Sequence, residues 1–376
     1  PGVKRYRIVR DDIPLYSVDA AYMADPTTGY VRISRFAAET PREFATAVNK
    51  LIRSGMQNLI IDLEDNGGGY LGAAVELASH FLRNNDVIVY TKGRNAPEHY
   101  FRAEGDGKLL NGRVVIMVNE FSASASEIMS GAVQDNDRGL VVGRRTFGKG
   151  LVQRPFPFPD GSMIRLTVSR YSTPAGRSIQ KPYSKGDDAD YFMDLKHRYD
   201  KGEFSSADSI HFADSLRYET LRNHRTVYGG GGIMPDRFVP IDTTGVTPYY
   251  RDLRAKNAFN QYTVEYIDAH RDELKKQYPT MEKFIAVFSF TPEMMDEFVN
   301  TATKLGVEPN PQQMEESRKA ISTILTGLIA RDLFDYEAYY RIANELNPVY
   351  REALRLINSP DEYESLLRSS HTPEDK

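Results

Sequence analysis

The sequence contains no cysteine. That excludes thiol catalysis, disulfides and cysteine-ligated zinc together, and it fits any compartment, an oxidising one included. Histidine is sparse. The seven are scattered as His80, His99, His197, His211, His224, His270 and His371, and none falls in HExxH or another ligand spacing, so no metal site is expected. Basic residues are not in excess. The net charge of -4 argues against a nucleic-acid partner. No apolar run reaches the roughly 18 residues of a membrane span, and no signal-peptide pattern opens the chain. The first residue is Pro1 rather than Met, which reads as a processed or trimmed chain whose missing signal says little about its parent.

What is present is an ordinary globular balance, 40% hydrophobic and 27% charged over 376 residues, enough for two or three domains. After a lead-in at 1–28 (RYRIVR, then IPLYSV), strands alternate with helices. GYVRISRF (29–36) reads as a strand, Thr40-Pro41 as a helix start running to about Gly55, and NLIIDLED (58–65) as a buried strand broken by NGGG. GAAVELASHFL (72–82) is helical. DVIVYTK (86–92) and GRVVIMVNE (112–120) are further strands. SASEIMSGAVQDN (124–136) has helical spacing with Ile128, Met129, Ala132 and Val133 on one face. The pattern predicts a layered α/β domain with a largely parallel sheet. A hairpin is expected around Asp160-Gly161. Residues 183–232 read as polar and irregular, and GGGGIMPD (229–236) as a flexible turn into a last short strand. From about 246 only helical periodicity remains. The expected organisation is therefore 1–28, a core at 29–245, and an all-helical domain at 246–376 with a frayed tail, SSHTPEDK.

Several motifs compete for the chemistry. Gly143-x4-Gly148-Lys149 has P-loop spacing, but Gly150 stands where a hydroxyl should hold Mg²⁺, and Pro155 opposes the helix that should follow. Ser178-Ile179-Gln180-Lys181 is an SxxK without its SDN and KTG partners. The run FSASASEIMSGAVQDN sets serines at a strand-to-helix junction. There a nucleophile would meet a backbone N–H and the positive end of a helix, although for a Ser-Ala run on its own an N-cap with small residues in a tight turn is the favoured explanation. Lys149 lies just past the strand GLVVG (139–143), with glycine on each side and Phe147 near. A lysine acting as base must be neutral, which requires desolvation, and Ser-Lys pairing is an established variant of triad logic. Asp135 sits eleven residues after Ser124. On one helix that is roughly 16 Å away, so it reads as a helix-end residue holding the following loop. NGGG, Asn66 to Gly69, is either a loose turn or a source of oxyanion N–H groups.

Together DLEDNGGGYL, VNEFSASASEIMSGAVQDNDRGLVVGRRTFGKGLVQ, TVSRYSTPAGRSI and GGGGIMPD resemble the carboxyl-terminal-processing (tail-specific) protease family of Ser-Lys endopeptidases, in family order across about 29–240. The resemblance implies a ClpP/crotonase-like layered α/β protease core, Ser124 as nucleophile, Lys149 as general base and Gln153 as the residue that orients the lysine. Ala125 and Gly68 or Gly69 would supply the oxyanion donors, and Asp135 would be structural. Were Lys149 on a strand, residues 149, 151 and 153 would share a face. The chain departs from the family pattern at Glu64, often Arg, and at Gly67, often Pro. It also lacks the PDZ domain that usually precedes the core, whose exit strand would be the lead-in.

The implied activity is cleavage of protein substrates, near their C-termini, through an acyl-enzyme. No metal or organic cofactor, nucleotide or nucleic acid takes part. The implied location is periplasmic or in the cell envelope, and a homodimer through the helical domain is possible. The alternative from another class is a catalytically inactive, protease-like binding or scaffold protein.

Overall fold

The computed structural model describes residues 7, 9–11, 15–105, 107–183 and 188–368. The expected lead-in strand at 5–10 falls largely outside these residues, and the expected frayed tail at 369–376 entirely so. The elements of the first half are β1 (Val18–Met23), β2 (Thr28–Ile33), α1 (Thr40–Arg53), β3 (Asn58–Asp62), α2 (Leu71–Ser79), β4 (Val87–Gly93), β5 (Ala96–Arg102), β6 (Val114–Val118), α3 (Ala125–Asp135) and β7 (Leu140–Gly143). Then come β8 (Leu151–Pro157), β9 (Met163–Ser172), α4 (Asp188–Asp200), β10 (Arg217–Glu219), β11 (Thr226–Tyr228) and β12 (Arg237–Phe238). Eight helices follow: α5 (Pro248–Ala255), α6 (Ala258–Gln277), α7 (Met281–Val287), α8 (Pro292–Lys304), α9 (Pro311–Leu333), α10 (Tyr336–Ala343), α11 (Pro348–Ile357) and α12 (Pro360–Arg368).

The central sheet has the order β1-β2-β3-β6-β7-β12. All its pairs are parallel except the edge pair β1–β2. Its middle strands are short apolar runs buried on both sides (NLIID, VVIMV, LVVG), the signature of a sheet covered on two faces. Alternation sorts them. Leu59, Ile61, Val114, Ile116 and Val141 pack with Phe44 and Leu51 of α1, Leu77 of α2 and Ile128 and Met129 of α3. Ile60, Val115, Met117, Leu140 and Val142 point the other way, onto Val349, Ala353, Leu356 and Ile357 of α11 and Tyr363 of α12. α11 and α12 thus form a third layer against the central sheet. Tyr363 fastens them, its hydroxyl donating to Val114 O at 2.9 Å. The other helices build two cores of their own, around Phe259, Phe298 and Ile321 and around Phe284 and Ile329.

A second, antiparallel sheet has the order β5-β4-β9-β8. The hairpin expected at Asp160-Gly161 is its β8–β9 ribbon. The stretch 86–92 belongs to this sheet as β4 rather than to the parallel one.

Three expectations are corrected. Residues 183–232 are not irregular throughout, because α4 lies within them. Its inward face includes Asp194 and Arg198 beside Tyr191 and Leu195, so its helical period is carried partly by polar residues and a hydrophobic pattern does not reveal it. The glycine run is not a free turn: Gly230 N–H donates to Ser178 O at 2.6 Å and Gly232 N–H to Ile179 O at 2.8 Å. Lys149 does not lie on a strand. It sits in the loop before β8, and the ladder slips between Val152 and Gln153, so the alternation argument for residues 149, 151 and 153 fails.

Candidate active site

Three adjacent parallel strands, β3, β6 and β7, each deliver one loop from their carboxyl ends: Leu63–Tyr70, Asn119–Ser124 and Arg144–Gly150. Open α/β sheets place ligands at such crevices. Ser124 is the hinge between the β6 loop and α3. It holds φ 56° and ψ -111°, a backbone state that costs a non-glycine residue about 1–3 kcal/mol and persists only where its surroundings enforce it.

Those surroundings are specific. Of the three serines, Ser122 and Ser126 are buried with their hydroxyls spent: Ser122 donates to Leu63 O at 2.7 Å and Ser126 to Asn66 O at 2.8 Å. Ser124 is half-buried between them. Asn66 joins the two loops. Its amide donates to Ile33 O at 2.7 Å, its carbonyl O accepts from Ala123 N–H at 3.0 Å, and its side-chain oxygen accepts from Gly68 N–H at 2.8 Å.

Gly68 comes so close that a Cβ there would stand 2.7 Å from Ser124 Cβ and 2.9 Å from Ala125 N. A Cβ on Gly69 would meet Phe36 O at 2.0 Å. Both have positive φ, 97° and 150°, so both positions need glycine. The Gly68 N–H is committed to Asn66. Those of Gly69 and Ala125 make no hydrogen bond among the described residues.

The β7 loop is tied to the α3 turn by a residue the sequence reading passed over. Glu127 is fully buried, and its carboxylate accepts four hydrogen bonds. One oxygen takes Ser124 N–H at 2.8 Å and Lys149 N–H at 2.9 Å; the other takes the Thr146 hydroxyl at 2.6 Å and Gly148 N–H at 2.7 Å. Burial pushes its carboxyl above the ordinary value, with the Thr146 hydroxyl and the three backbone donors pulling the other way. The signal was in the sequence, since Ser124-x-x-Glu127 has capping-box spacing.

Tyr171 makes a second tie. Its buried hydroxyl is hydrogen-bonded to Lys149 O and lies 3.1 Å from Ser124 O. Nothing in the residue pattern of β9 marks it.

Lys149 is half-buried, and its amine has no ion pair or hydrogen bond among the described residues. Gln153 is exposed at the start of the ribbon, its side-chain amide likewise without a hydrogen bond among them. Asp135, at the far end of α3, binds Arg177 Nη2 at 2.6 Å and Ala175 N–H at 3.0 Å. Gly150 packs against Gln180, whose side-chain oxygen accepts its N–H at 2.9 Å. Lys181 of the SxxK is spent on Asp194 at 3.0 Å, between the rings of Phe147 and Tyr191. Among the described residues no group of His, Asp and Glu could hold a metal ion, and no helix is long and apolar enough to cross a membrane. A cavity of about 590 Å³, lined by Arg32, Glu64, Arg144, Asp242 and Asn347 among others, is not lined by Ser124 or Lys149.

Residues 27–189 match the model of peptidase family S41, and residues 249–335 that of a family of unknown function, DUF8443. The chain is 38% identical over 181 residues to a carboxyl-terminal-processing protease of Picosynechococcus sp., a match covering 48% of this chain and 43% of that protein. It is 36% identical over 187 residues to the carboxy-terminal processing protease CtpB of Bacillus subtilis, covering 48% and 38%. The chain thus spans less than half the length of these relatives. Among solved structures, a photosystem II D1 C-terminal processing protease matches at 33% identity and TM-score 0.39, over 46% of this chain and 47% of that one.

Proposed function

We propose that this chain, whose residues 27–189 match peptidase family S41 and are similar to carboxyl-terminal-processing proteases, is a serine endopeptidase cutting protein substrates near their C-termini. Ser124 Oγ attacks the scissile carbonyl while Lys149 takes its proton. The oxyanion is held by the N–H groups of Ala125 and Gly69, the former at the first turn of α3, where the helix dipole adds to it. Lys149 returns the proton to the leaving amine, and water, activated by the same amine, releases the acyl-enzyme. Gln153 orients the lysine once substrate is bound, and Asp135 holds the loop beyond α3.

The observation that carries this reading is the double bridge between nucleophile and base: Glu127 joins their N–H groups and Tyr171 their carbonyls. Such a clamp fixes two backbone positions against each other, and serves chemistry that needs their side chains in register. A location outside the cytoplasm, in the periplasm or cell envelope, and pairing of two copies through the helical segment belong to the same proposal. The test compares Ser124→Ala and Lys149→Ala with the parent on an unfolded protein substrate. Both variants should lose at least about 10³-fold in kcat. Cleavage at the parental rate by either would refute the assignment. Labelling of Ser124 by a fluorophosphonate separates this reading from a protease-like scaffold without activity.

A further inference from the structure

The β8–β9 ribbon is exposed along its whole length from Gln153 to Thr167. Its side chains are nonetheless apolar: Phe156, Phe158, Met163, Ile164 and Leu166 are 43–63% exposed. An apolar patch of this kind on one projecting element marks an interaction surface. The register puts Phe156 opposite Ile164 and Arg154 opposite Leu166, so these four share one face of the ribbon.

The edges differ. Pro155 and Pro157 have no N–H, so they fit the non-hydrogen-bonded pairs and leave the outer edge of β8 without donors. Their partners Arg165 and Met163 then turn their N–H and C=O groups to the far edge of β9. There β4 pairs only with Arg170–Ser172, so the edge at 163–167 is open to an extended chain.

The ribbon is continuous with the site. β8 begins two residues after Lys149, and Tyr171 at the root of β9 is the bridge to Ser124 and Lys149. Near Ser124 and Gly69 in the chain, Phe121 and Tyr70 are likewise exposed. Arg154, on that same face, forms no ion pair among the described residues, which adds unneutralised positive charge there.

We propose that this ribbon receives the substrate polypeptide: an extended, apolar segment rich in acidic residues lies along the face of Phe156, Ile164 and Leu166 and the free edge of β9, and leads its scissile bond to Ser124. The inference rests on the proposed peptidase reading. The occupant follows from the continuity with the site and from the positive charge.

The test is Phe156→Ser/Ile164→Ser/Leu166→Ser in a Ser124→Ala background, with β-casein, an unfolded acidic polypeptide, as the probe. Fluorescence anisotropy should give a Kd at least about tenfold weaker than that of Ser124→Ala alone, with the melting temperature unchanged. An equal Kd overturns the proposal. So does a change from dimer to monomer in sedimentation, which would make a second copy of the chain the occupant. In the Ser124-containing protein the triple substitution should lower kcat/KM on β-casein but leave the rate of fluorophosphonate labelling as it was. Equal losses in both would overturn the proposal as damage to the site itself. Failure of the parent to label sinks the peptidase reading, while the anisotropy result still decides whether the ribbon holds polypeptide.

Discussion

Glu127 reaches from the first turn of α3 to Lys149, whose backbone N–H donates to its carboxylate at 2.9 Å. The same oxygen accepts the N–H of Ser124. A buried carboxylate without a cationic partner is costly, and here four donors offset that cost. An amide cannot do the same, because one end of it is itself a donor. Glu127→Gln should therefore leave buried N–H groups unpaired, each costing about 1–3 kcal/mol, and should lower kcat at least about 10²-fold. The pH profile separates positioning from mere stability. Because burial raises the Glu127 carboxyl, protonation should weaken the tether above the ordinary carboxylate range and give the parent an acid limb. That limb should be missing from the variant. A variant within threefold of the parent in kcat would show that the tether positions nothing.

Neighbouring glycines give a paired experiment. A Cβ on Gly68 would collide with Ala123 O and Ser124 Cβ at 2.7 Å, and its φ of 97° is unfavourable for alanine as well. Gly67 is exposed with nothing within 4 Å of a built Cβ. Gly68→Ala should cost at least about 2 kcal/mol in stability and displace the Ser124 turn, with activity falling more than tenfold. Gly67→Ala should match the parent in both. Equal behaviour of the two variants in thermal melts and cleavage assays would contradict the crowding argument.

How legible this was in the sequence depended on whether the interaction was local. The parallel sheet could be read because β3, β6 and β7 are uninterrupted apolar runs. The helix beginning at Ala125 could be read from its apolar period. The clustering of Ser124, Lys149 and the NGGG turn rested on a family pattern rather than on periodicity. Tyr171 could not be found, because its role depends on its hydroxyl reaching Ser124 O and Lys149 O, contacts that the hairpin pattern does not encode. The same holds for α4, whose inward face is partly charged, and for α11 and α12. The amphipathic pattern of those two helices announces a buried stripe but not that the stripe covers the central sheet. Glu127 was readable as a capping-box glutamate; its second duty to Lys149 was not.

Glu64 gives a prediction about pH. Its carboxyl is buried, accepts a 2.6 Å hydrogen bond from Asn347 at the start of α11, and is pushed up to about 8 by burial and by neighbouring Asp62. Asn347 opposes this rise but does not cancel it. A carboxyl raised in the folded state holds its proton more tightly there than in the unfolded chain, where its value is the ordinary 4.5. Its contribution to stability is therefore fully present below about pH 4.5 and is lost as pH rises through about 8. Glutamine is uncharged and can still accept from Asn347. Glu64→Gln should melt within about 1 °C of the parent at pH 5 and several degrees above it at pH 9, since every tenfold difference in proton affinity between the folded and unfolded chain is worth about 1.4 kcal/mol. Parallel melting curves across that range would mean that Glu64 is already ionised in the folded protein. Asn347 would then be holding a carboxylate in place beside Asp62.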